Sequence, residues 1–178
     1  MPVMVFDWPA DQQGLLTGYR EARQVATASA AELASTLEII VNEVRPERIA
    51  ILGNSLGAQV VVDAFSVLHA KADFADPEAE FNHVVLTAPD VSRARFNEQF
   101  RDEIVALADE LTVYVASNDR ALIVSRLLAG EARAGESTAS PDQFPEAVEL
   151  AQLVEPGNDM VSLVDVTPVN RTRNFHNF

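Results

Sequence analysis

Cysteine is absent from the chain, which removes disulfides, thiolate metal sites and cysteine nucleophiles. Positive charge is scarce. Thirteen Lys and Arg face twenty-seven Asp and Glu, and the formal net charge of −14 repels phosphate backbones and anionic lipid surfaces alike. No nucleic-acid partner is expected. The acidic residues are spread along the chain instead of forming one tail, as on an ordinary solvated surface. Long apolar runs are also missing: no stretch approaches the roughly 20 residues of a membrane span. Met1 to Trp8 holds neither a basic leader nor a long apolar run. The default expectation is a cytoplasmic protein, although an export signal would be lost with a missing N-terminus. Phosphate-cradling loops lack their glycines and lysine, since neither G-x-G-x-x-G after the first apolar run nor G-x-x-x-x-G-K-S/T occurs. Only three histidines are present, they are not at ligand spacing, and no H-E-x-x-H exists. No metal site is singled out and no cofactor is implied.

What is present suffices for one sizeable core: 178 residues, 48% of them hydrophobic, predict a single domain over 1–178. Val3 to Phe6 reads as a buried strand closed by Trp8-Pro9. Apolar residues recurring at helical spacing from Gly18 to Val44 predict a long amphipathic helix, ended by Arg45-Pro46. Arg48 to Gly53 is a second strand, feeding a helix from Leu56 to about His69. The alternation continues with a strand His83 to Thr87, a helix near Phe96 to Asp109, a strand Leu111 to Ala116 and a helix Ala121 to Leu128. Beyond Gly130 a small, polar loop over Gly135 to Pro141 precedes a helical stretch from Pro145 to Leu153. The turn Pro156-Gly157-Asn158-Asp159 then leads to a last strand, Met160 to Val166, and an aperiodic tail. Such βα alternation predicts an α/β fold with a mostly parallel sheet flanked by helices.

Chemistry concentrates at Gly53-Asn54-Ser55-Leu56-Gly57, a G-x-S-x-G between strand and helix. A serine hydroxyl is a weak nucleophile until held beside a base, and this turn presents it. Both glycines are expected to be steric necessities, because side chains two residues either side of a strained serine would collide. The plainer reading is only a tight turn, which the flanking strand and helix argue against. Ser55 would also sit at the positive end of the following helix, where the Leu56 amide can receive an oxyanion.

Elimination narrows the base. His69 lies about four turns from the elbow at the far end of its helix, and His83 starts a strand, opposite the carboxyl ends where ligands bind in such sheets. His176 follows the last strand and so lies on the correct side; its plainer reading is a solvated residue of a frayed tail. The orienting acid should fall between serine and histidine in chain order. Asp119, after the strand ending at Ala116, and Asp90, after the strand ending at Thr87, both qualify. Their plainer readings are a helix N-cap and a loop residue. Spacing does not choose between them.

These motifs resemble the α/β-hydrolase superfamily, and within it a bacterial branch of uncharacterised function with a W-P-S segment, an H-S-M-G-N elbow, an A-P-D and an N-D-x-A-L-x-x-S stretch. The counterparts are Trp8-Pro9-Ala10, Asn54 to Ala58, Ala88-Pro89-Asp90, and Asn118 to Leu122 with Ser125. Gly130, Arg133 and Gly135 look like the segment that follows the acid in that branch. The resemblance favours Asp119 as the acid and His176 as the base. It implies an ester or other acyl hydrolase working through a Ser-His-Asp triad and an acyl-enzyme, on a small-molecule substrate. Asn54 departs from the histidine usual before the nucleophile. The resemblance also implies earlier strands, one with an H-G segment completing the oxyanion hole, and a closing helix, so a partial fold truncated at both ends is expected. The alternative is a non-catalytic hydrolase-like binding protein that self-associates through exposed sheet edges.

Overall fold

The computed structural model describes residues 2–10, 17–71, 81–96, 101–116, 118, 119, 122, 130, 133, 134 and 160–167. The expected loop at 135–141, the helix at 145–153, the turn at 156–159, the aperiodic tail and all of the 121–128 helix but Leu122 lie outside these residues, as does His176.

Helix α1 (Thr17–Ile39) buries Ala22, Ala26, Ala30, Leu33, Ala34 and Leu37, a stripe repeating every three or four residues. Its small residues let the backbone approach α2 (Leu56–His69) closely, and the two pack along each other. A π-helical turn, Ile40–Val44, ends the first helix. Arg45 closes it in the left-handed conformation with its N–H on the Ile40 carbonyl at 2.9 Å, and Pro46 cannot continue a helix.

Strands β1 (Ala50–Asn54), β2 (Phe81–Thr87), β3 (Ala108–Val115) and β4 (Val161–Asp165) form an all-parallel sheet in that order. Ile51, Gly53, Val84, Leu86, Leu111 and Val113 share one face by register. That face meets α2, which is buried on most of its circumference between the sheet, α1 and α4 (Arg101–Leu107). A single turn α3 (Arg93–Arg95) precedes α4. Phe65 of α2 stacks obliquely on Phe81 of β2, ring centroids 5.1 Å apart.

Two expectations are corrected. Residues 2–10 form no strand: Val3 and Val5 are 81% and 82% exposed, and only Phe6 and Trp8 pack against the core. An apolar run predicts burial but names no ladder partner; none of the described strands pairs with this run, and without a partner a strand leaves its amides unpaired. The helix expected to reach Asp109 stops at Leu107, because Ala108 already pairs with Phe81 and Asn82 Nδ2 donates to Asp109 Oδ2 at 3.0 Å.

Candidate active site

Ser55 stands between the last residue of β1 and the first of α2 with φ 52 and ψ −121. For a residue with a Cβ this conformation costs on the order of 1–3 kcal/mol and persists only when its surroundings hold it. They do so on both sides. The Ser55 N–H donates to the Thr87 carbonyl at 3.0 Å, and the Ser55 carbonyl accepts from the amides of Ala58 and Asp90, each at 3.1 Å. Asn54 ties the end of β1 to β2 through Nδ2 to Thr87 Oγ1 at 2.7 Å.

Only one of the two glycines is sterically required. A Cβ on Gly53 would lie 2.9 Å from Ala58 Cα and 3.1 Å from Val61 Cγ2, so strand and helix are in near contact there. A Cβ on Gly57 would meet nothing within 4 Å, which corrects the symmetric expectation. Leu56 opens a helix of 14 residues. Its amide belongs to the first turn, where N–H groups lack intrahelical acceptors and the helix dipole favours negative charge.

The two candidate acids occupy different environments. Asp119 is buried beyond the end of β3 and accepts the Leu122 N–H on Oδ1 at 3.1 Å. Asp90, also buried, accepts on Oδ1 from Arg133 Nε at 2.5 Å and from the Tyr19 hydroxyl at 3.2 Å. Arg133 is 0% exposed, and its Nη2 also donates to the Asp90 carbonyl at 3.1 Å.

Neither described histidine is near Ser55. His83 bonds Thr112 Oγ1 through Nε2 at 2.9 Å and pairs with Ala50, four rungs before the Asn54–Thr87 pair, or about 13 Å along the sheet. His69 closes the far end of α2, about 20 Å from its start.

The structure thus combines an all-parallel sheet with a strained serine between strand and helix. A family model for an alpha/beta hydrolase of unknown function, DUF900, matches residues 1–177. The chain belongs to this α/β-hydrolase family. No curated protein and no solved structure matches it significantly. In this family member the carboxyl edge of the sheet gathers Ser55, the Ala88-Pro89-Asp90 turn and Asp119, while His176 falls outside the described residues. No helix among the described residues is long and apolar enough to cross a membrane.

Sequence reasoning missed the pairing of Asp90 with Arg133 and Tyr19, which are 43 and 71 residues away from it. A lone arginine among small residues was the faint available signal; nothing in local spacing points from it to Asp90.

Proposed function

We propose that this hydrolase cleaves an ester or related acyl substrate, with Ser55 as nucleophile, His176 as general base, Asp119 as the acid that orients it and the Leu56 N–H as an oxyanion donor. The observation that carries the reading is the backbone of Ser55, strained at φ 52 and stapled from both sides at the head of α2. Strain of that kind in a non-glycine residue is a reason to look for function.

In the proposed reaction the His176 imidazole takes the Ser55 hydroxyl proton as Oγ bonds to the acyl carbon. The carbonyl electron pair moves to oxygen, facing the Leu56 N–H. Collapse expels the alcohol, which receives the proton back from the imidazolium, and water repeats the sequence to release the acid. Asp119 is preferred to Asp90 for an electrostatic reason. A carboxylate already matched to a buried guanidinium has less negative potential to offer an imidazolium. Reach permits the arrangement: the nine residues from Thr167 to His176 span up to about 30 Å, against roughly 14 Å for the three strand spacings from β4 to β1.

Labelling with a fluorophosphonate probe tests the reading. Modification at Ser55 that disappears in Ser55→Ala and falls at least about a thousandfold in His176→Ala is expected. A folded protein that takes no label would sink it.

A second reading, a hydrolase-like protein that binds partners without catalysis, is favoured by one observation. Among the described residues nothing pairs with the outer edge of β1, and Leu52 on that strand is 69% exposed.

A further inference from the structure

The contact between Asp90 and the elbow fixes more than a loop. The amides of Asp90 and Ala58 both donate to the Ser55 carbonyl, while the Ser55 N–H is held by Thr87. A trans peptide is planar, with its carbonyl and its N–H on opposite edges. Holding the Ser55 oxygen therefore aims the Leu56 N–H.

What holds Asp90 in turn is Arg133. Its Nε bonds the Asp90 carboxylate at 2.5 Å and its Nη2 the Asp90 carbonyl at 3.1 Å, so one planar guanidinium grips both the side chain and the main chain. Tyr19 closes the cluster, its hydroxyl donating to Asp90 Oδ1 at 3.2 Å and lying 3.4 Å from Arg133 Nη2. The backbone of Arg133 is itself fastened to the same loop, by an antiparallel bridge to Ser92 and by the Ala134 N–H on the Val91 carbonyl at 2.9 Å. Within that loop Ala88 is held at φ 44 with its N–H on Tyr114, and Pro89 has no N–H to give. Asp90 is thus the residue that delivers a donor to the elbow.

We propose that Arg133 is a positioning residue for the oxyanion donor: by fixing Asp90 against the Ser55 carbonyl, it sets the peptide plane that presents the Leu56 N–H. This inference rests on the reading of Ser55 as nucleophile. The fork geometry is required, because a lysine ammonium supplies the charge but cannot hold two fixed acceptors in one plane.

The test uses the whole chain labelled with nitrogen-15, as wild type, Arg133→Met, Arg133→Lys, Tyr19→Phe and Arg95→Met. The last breaks the ion pair of Arg95 with Asp63 on α2, which has no bond to the elbow. Three quantities are read: the Leu56 amide resonance and its hydrogen exchange, the fluorophosphonate labelling rate, and kcat and KM on p-nitrophenyl acetate. Arg133→Met should move the Leu56 amide and slow labelling and kcat by roughly ten- to a hundredfold with KM unchanged, short of the loss on deleting a donor outright. Arg133→Lys should recover part of that loss. Tyr19→Phe, which keeps the ion pair, should show the same pattern at a few-fold, and it carries the test if Arg133→Met does not fold. Arg95→Met should leave all three readouts unchanged. An unmoved Leu56 amide in folded variants overturns the inference, as does equal slowing in Arg95→Met. If wild type takes no label, the nucleophile reading fails instead, and the Leu56 amide still decides whether Arg133 sets the peptide plane.

Discussion

Gly53 and Gly57 stand symmetrically about Ser55 in the sequence, yet the fold treats them differently. At Gly53 a methyl group would press on backbone, the Cα of Ala58, which cannot swing away as a flexible side chain would. Gly53→Ala must therefore push α2 off β1, and a loss of about 1–3 kcal/mol is expected, together with slower labelling of Ser55. Gly57→Ala has open space and sits in the first turn of a helix, where alanine is favoured over glycine by up to about 1 kcal/mol. It should be neutral or stabilising. Urea denaturation of the two variants checks the contrast, and equal destabilisation would contradict it. The motif was legible in the sequence as a spacing. Which of its glycines is needed was not, because that depends on the distance between a strand and the helix after it.

At the scale of elements, legibility followed the physics that fixes each one. The strands at 50–54 and 161–165 and the helices from 17 and 56 could be read from the sequence, since apolar runs and helical spacing of apolar residues are local patterns that can be seen without knowing the partner. Val3 to Phe6 has the same composition as a strand and is not one, because a ladder needs a partner that composition does not name. The Asp90–Arg133 pair was illegible for a related reason: it joins segments 43 residues apart. Its energetics make a separate prediction. Removing one member of a buried pair leaves the other charged and uncompensated, at roughly 3–5 kcal/mol. Arg133→Met should therefore be strongly destabilising, whereas adding Asp90→Asn removes the stranded charge and should recover part of the loss. A double-mutant cycle in urea measures the coupling. Strictly additive losses would mean that the two side chains do not act as a pair.

Viewed as a whole molecule, the protein sets two opposed tendencies against each other. The outer edge of β1 is unpaired among the described residues, and beside it Leu52 exposes apolar surface. An unpaired edge offers backbone donors and acceptors to a second chain. The net charge of −14 opposes that approach, since two copies repel each other wherever their fields overlap. Salt separates the two effects. The Debye length is about 10 Å at 0.1 M and about 3 Å at 1 M, so raising the salt removes the repulsion while leaving hydrogen bonding and apolar burial intact. Self-association measured by analytical ultracentrifugation should therefore strengthen with ionic strength. Leu52→Lys should weaken it at every salt concentration, because a charged side chain on an edge strand is costly to bury against another chain. If association were instead absent at high salt, or indifferent to Leu52→Lys, the exposed edge would not be an interaction surface, and the non-catalytic reading would lose the observation that favours it.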